Sequence, residues 1–237
     1  MEKLRFQKGN AKLEKKILTF SLPAGHSCPF AYECQASADR HTGKITDGRF
    51  QKFRCFSASA EALYATTRAA RWRNFDLLRA QKTKEGMRNL IMESLPKKAQ
   101  IVRVHVSGDF FNQDYFDAWM EVATNLKHIK FYAYTKSVNY WLARKDSIPG
   151  NFELTASMGG AGDKVVTLNN LKNARVVFTE EEAANLQLEI DHDDSHAYNK
   201  GESFALLIHG TQKSGSEASQ ALSKLRKKGI KGYSKKK

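Results

Sequence analysis

The sequence predicts an α/β fold in which a six-stranded, mostly parallel sheet closes part-way into a (β/α)6 barrel. Three observations carry this expectation. Six short runs of β-branched and aromatic residues recur along the chain, at 16–22, 101–106, 129–134, 152–157, 174–178 and 204–208. Helical patterns or irregular crossovers separate them, the alternation that lays strands parallel. Nearly every run ends in small or polar residues, as expected where C-terminal strand ends form a ligand-bearing rim.

The first run, Lys16 to Leu22, stops at Pro23 and Gly25. Residues 35–54 read as a hairpin-like excursion, with turn signals at Thr42-Gly43-Lys44 and Asp47-Gly48. Ser57 or Ser59 is expected to cap a helix running to about Gln81, with Glu61 in its first turn. A second helix, Lys84 to Ser94, is ended by Leu95-Pro96. The run Ile101 to Val106 is the clearest strand and leads into Ser107-Gly108-Asp109. Asn112 or Asp114 then caps the amphipathic helix 115–123. The remaining strands end at Thr135-Lys136-Ser137, at Ser157 with Met158-Gly159-Gly160, at Thr179 before three glutamates, and at His209-Gly210-Thr211-Gln212. No repeat or low-complexity linker divides the chain, so residues 1–223 read as one domain and 224–237 as a basic tail, disordered beyond Gly229.

Composition narrows the function classes. Hydrophobic residues make up 41% of the 237, and no apolar run is long enough to span a bilayer. The net charge of +14, from 39 basic and 25 acidic residues, favours polyanionic partners, nucleic acid first. Candidate contacts are Arg68, Arg71 and Arg79 on the helix after the last cysteine, and Lys227 and Lys228 in the tail.

All three cysteines, Cys28, Cys34 and Cys55, lie early in the chain, on the segment that leaves the first strand. Five residues separate the first pair and twenty the second, which excludes a paired CxxC knuckle or a redox CxxC motif. Three thiolates can hold three irons of a cuboidal [4Fe-4S] cluster and leave the fourth open, or complete a zinc tetrahedron with one imidazole from His26 or His41. Three reduced core thiols are the plainer alternative; the polar loop, Gly25 and Pro29 argue against it. A disulfide would leave one cysteine over, and no signal peptide is expected ahead of them.

On the same rim, Ser107, Gly108, Asp109, Thr135, Lys136 and Ser157 are candidate ligand-binding residues, with Gly108 allowing backbone approach, Asp109 accepting from an ammonium and Lys136 meeting a carboxylate. Asp191-His192-Asp193-Asp194-Ser195-His196 has donors for a hard cation, although an acidic surface loop is the plainer assignment. Gly210 to Ser216 lacks the spacing of a Walker phosphate loop.

Two resemblances rest on these residues. Leu22-Pro23-Ala24-Gly25 with Cys28-Pro29, Val104 to Phe110, Phe131 to Ser137 and Ile208 to Gln212 resemble the phage gene-product-88-like family across most of 16–222, which implies a viral protein of the host cytoplasm. In order of parts the chain also resembles radical S-adenosylmethionine (SAM) enzymes. That likeness implies three cluster cysteines after strand one of a partial barrel and a SAM-binding segment after strand two, here Cys28, Cys34, Cys55 and Ser107-Gly108-Asp109. The family's tight CxxxCxxC is absent, the cysteines here being spread over twenty-eight positions. The expected function is an iron–sulfur protein acting on or near nucleic acid. The alternative is a zinc-containing, non-catalytic DNA- or RNA-binding accessory protein, with a nuclease using Asp109 and the 191–196 acids third.

Overall fold

In the computed structural model, which describes residues 2–9, 13–199 and 201–230, the six expected strands form one sheet joined by a seventh at its edge. In chain order come β1 (Gln7–Lys8), β2 (Ile17–Ser21), β3 (Ala36–Ala38), β4 (Ile45–Asp47), α1 (Phe56–Leu63), α2 (Ala65–Ala80) and α3 (Lys84–Ser94). There follow β5 (Ile101–Ser107), α4 (Gln113–Asn125), β6 (Lys130–Thr135), α5 (Val138–Leu142), β7 (Phe152–Ser157), α6 (Asp163–Leu168) and β8 (Asn173–Val177). The chain ends with α7 (Glu180–Asn185), α8 (Ser195–Tyr198), β9 (Phe204–Leu207) and α9 (Glu217–Lys227).

The sheet order is β1-β2-β5-β6-β7-β8-β9; the short, exposed β1 is antiparallel and every other pairing is parallel. The barrel does not close, because β9 is an edge strand with β8 as its neighbour. The sheet nevertheless curls: Ile17 of β2 and Phe204 of β9 share one buried cluster with Tyr132 and Ala174. Its outer face supplies Val102, Val104 and Phe131 to a larger core completed by Leu78, Ile91, Phe116 and Trp119 of the helices. Each such side chain contributes about 1.5–3 kcal/mol by leaving water.

Several expected elements hold as read. The 35–54 excursion is the β3–β4 ribbon. Asn112, one of the two expected caps, begins α4, and Thr179 begins α7; Thr83, which is not among the expected caps, begins α3, and each side chain accepts the backbone N–H of the third helical residue. The helix expected from Ser57 to Gln81 is instead two, broken at Tyr64, whose backbone is extended (φ −119°, ψ 100°). Cys55, not a serine, takes the N-cap position of the first.

A bulge in β5 aims the rim. The register against β2 slips between Thr19 and Ser21, and His105 takes a positive φ of 69°. Strict alternation would send His105 inward beside Arg103; the bulge turns its ring into the aromatic core of Phe20, Phe110 and Tyr115. Its Nε2 stands 3.0 Å from the Tyr115 hydroxyl, and burial pushes its pKa down to about 3, so the ring is neutral.

The acidic segment 191–196 is not a surface loop. Asp191, Asp194 and His196 are buried, and Asp194 pairs with Arg103 inside the curled sheet while accepting from the Tyr132 hydroxyl at 2.9 Å. Helix α9 takes up the start of the expected tail, with Leu225 buried against Val177, Ala205 and Leu207. Residues 231–237 of that tail lie outside the described residues.

Candidate metal centre

The parallel strands bring all three cysteines to one cavity of about 160 Å³ at their C-terminal ends, lined also by Arg103, Asp109, Tyr134, Lys136, Ser157 and His209. From β2 the chain turns at Gly25 (φ 73°), and Ser27 Oγ donates to the Pro23 carbonyl at 2.8 Å. The loop then crosses the rim to β7: Glu33 N donates to Gly159 O at 2.9 Å and Ala161 N to Phe30 O at 3.0 Å. Cys28 and Cys34 therefore hang between the ends of β2 and β7. Cys55 arrives from the β3–β4 ribbon, held by Gln212, whose side chain accepts from Arg54 N at 2.7 Å and donates to Arg54 O at 3.1 Å. Asp47 grips the Arg54 guanidinium with both carboxylate oxygens, at 2.8 and 2.6 Å, and its own pKa is lowered by that contact.

The thiols feel one another. Burial, then Asp109, Cys55 and Cys34, push the Cys28 pKa well up. Cys55 is raised to about 11, first by burial and then by Cys34, with partial relief from the amides of Ser57 and Ala58 at the start of α1 and from Arg71. Three half-buried free cysteines lining one cavity are the donor type that a thiophilic metal or cluster takes. Among the described residues, no group of three or more His, Cys, Asp or Glu side chains is placed to hold a metal ion.

The rim residues expected to meet a ligand are engaged within the protein. Asp109 accepts from Thr135 Oγ1 at 2.6 Å, Phe110 N at 2.7 Å and Lys136 N at 2.7 Å, stitching β5 to β6; burial raises its pKa to about 6. Lys136 Nζ donates to Ser157 O and Oγ at 2.9 Å each and to Met158 O at 2.6 Å. Ser107 Oγ donates to Glu61 at 3.2 Å. Gly108 (φ 85°) admits the cysteine loop rather than a ligand: a Cβ there would stand 2.5 Å from Ser27 Oγ and 2.7 Å from Leu22 Cβ. Gly108→Ala is thus expected to lose about 2–5 kcal/mol of stability, read as a lower urea midpoint at unchanged slope.

Neither expected imidazole lines the cavity. The His26 ring packs 4.8 Å from that of Trp72, with Nε2 near the Ala38 carbonyl, and His41 borders a separate cleft with Arg40 and Asp76. His209 does line it, after β9, against the Phe56 ring. Of the basic candidates, Arg68 and Arg71 are buried. Arg68 donates to the carbonyls of Arg40, His41 and Glu61, and Arg71 pairs with Glu61 at 2.7 Å. Arg79, Lys227 and Lys228 are exposed.

Glu61, assigned only a place in a helix's first turn, is the hub beneath the site. Its Oε1 accepts from Arg71, Ser107 Oγ and, at 2.9 Å, Ala24 N at the start of the cysteine loop. Arg103 was missed as well; its Nε is buried in the cavity wall without a hydrogen-bond acceptor, although Nη1 pairs with Asp194. The signal was its charge at an inward position of a buried strand.

Among described residues no helix is long and apolar enough to cross a membrane. No curated protein and no solved structure matches the chain. Residues 3–228 match the family described as Gene product 88, a span that takes in the cysteine loop, the bulged β5 and the Gln212 clasp. The protein belongs to the Gene product 88 family.

Proposed function

We propose that this protein carries a [4Fe-4S] cluster on Cys28, Cys34 and Cys55, on a partial barrel of radical-SAM-like design, and works on or near nucleic acid. The observation that carries the proposal is convergence: cysteines up to twenty-seven positions apart line one cavity at the rim of a curled parallel sheet. When bound, such a cluster supplies one-electron chemistry and a Lewis-acidic iron. The chain's part is to hold and surround it. Asp109, Lys136 and Gly108 fix the rim by bonds and packing within the protein, while Arg103 offers an N–H to an anionic group in the cavity. A basic exterior, with Arg79, Lys227 and Lys228 exposed and a net charge of +14, attracts a polyanion.

Three cysteines would supply only three of the protein ligands a cuboidal cluster can take, and whether its fourth iron would be open decides between enzyme and binding protein. Cyanide and SAM, added separately to reduced protein, are each expected to shift the electron paramagnetic resonance spectrum if the site is open and radical-SAM-like. A shift with cyanide alone removes SAM from the proposal. No shift with either leaves a closed, structural centre.

A further inference from the structure

Two exposed aromatic rings stand on the loops that carry the cysteines. Tyr32 is 43% and Phe50 50% exposed, and the rings stack face to face at 4.7 Å and 17°. The Arg49 guanidinium lies over Phe50, 5.3 Å from its centroid. Tyr32 sits between cavity-lining Ala31 and Cys34, and Phe50 is three residues before cavity-lining Phe53.

The stack is held in place by its backbone. Lys52 N and Phe53 N both donate to Glu33 O, at 2.8 and 3.2 Å, and Gly48 N donates to Gln35 O at 2.8 Å. Gln51 bridges Gln35 O and Asp47. A stacked pair of half-exposed rings beside the cavity offers a flat aromatic surface to a planar partner. The charges around it select the partner. Arg49, Lys52, Arg54 and Lys213 line one cleft beside Phe50 with Asp47; Lys52 is paired with Glu33 and Arg54 with Asp47, and Arg49 and Lys213 stand outside these pairs.

We propose that Tyr32, Phe50 and Arg49 form a stacking platform for an unpaired base of a single-stranded nucleic acid, laid beside the cysteine cavity. Phe50 lies between Tyr32 and Arg49 and props the stack, so a base would lie on the outer face of Tyr32 or of the Arg49 guanidinium, either of which accepts any base, while the flanking cations take the phosphates. This deepens the functional reading by naming its substrate class, and rests on that reading only for the role of the neighbouring cavity.

The probe is a single strand of about 12 nucleotides carrying 2-aminopurine, titrated into full-length protein at fixed low salt. Binding is expected to quench the base. Phe50→Ala and Tyr32→Ala are each expected to weaken binding about tenfold and abolish the quenching, whereas Phe50→Trp retains both. Circular dichroism and visible absorption of each variant are recorded in parallel. Alanine variants that fold as wild type yet bind and quench within twofold of it overturn the platform, whatever the absorption shows; so does folded wild-type protein that leaves the strand unbound at low salt. Quenching that persists in colourless, metal-free protein supports the platform while counting against the cluster, so the two readings fail separately.

Discussion

Replacing Glu61 with alanine is expected to destabilise the protein by about 3–5 kcal/mol, a large share of the roughly 5–15 kcal/mol that holds a domain together. The side chain is fully buried and pairs with Arg71, itself 8% exposed. Truncation strands a buried guanidinium, and the Ala24 amide and Ser107 hydroxyl lose their acceptor as well. Glu61→Gln keeps an acceptor oxygen but not the charge and should fall between the two. Urea denaturation followed by circular dichroism measures the difference. Because Ala24 opens the cysteine loop, the alanine variant should also take up metal poorly even where it remains folded. A loss under about 1 kcal/mol would mean that the contacts around Glu61 do not organise the site.

The second large effect concerns the cysteines. If the proposed cluster is present, alanine at Cys28, Cys34 or Cys55 is expected to remove most of its iron while leaving the fold intact. Each side chain faces the cavity, whose walls the strands and Glu61 position independently of the thiols. Removal of one ligand leaves two, too few to hold a cuboidal cluster against exchange. If the cysteines were merely core hydrophobes, each variant would show a modest stability loss and no change in metal. Iron content and visible absorption of the three variants, beside their circular dichroism, separate these outcomes.

Much of this was legible because it is local. The six parallel strands follow from runs of Val, Ile, Phe and Tyr, and the place of Cys28 and Cys34 on the rim follows from their position just past the first of them, whereas Cys55 reaches it by way of the β3–β4 ribbon. The site's supports are not local. Glu61 meets partners at positions 24, 71 and 107, and no periodicity announces such a set. His105 sits in an unbroken β-branched run, so its bulge is invisible until β2 slips in register. The burial of Arg68 and Arg71 did leave a trace: they share a helical stripe with Phe75 and Leu78, which face the core. The 191–196 acids look solvated in sequence, yet Arg103, on a strand ninety residues earlier, draws Asp194 inward.

The central claim is tested most directly by purifying the protein anaerobically and counting metal and acid-labile sulfide per chain. The account predicts brown protein with about four iron and about four sulfide. Colourless protein with one tightly held zinc and no sulfide would contradict it.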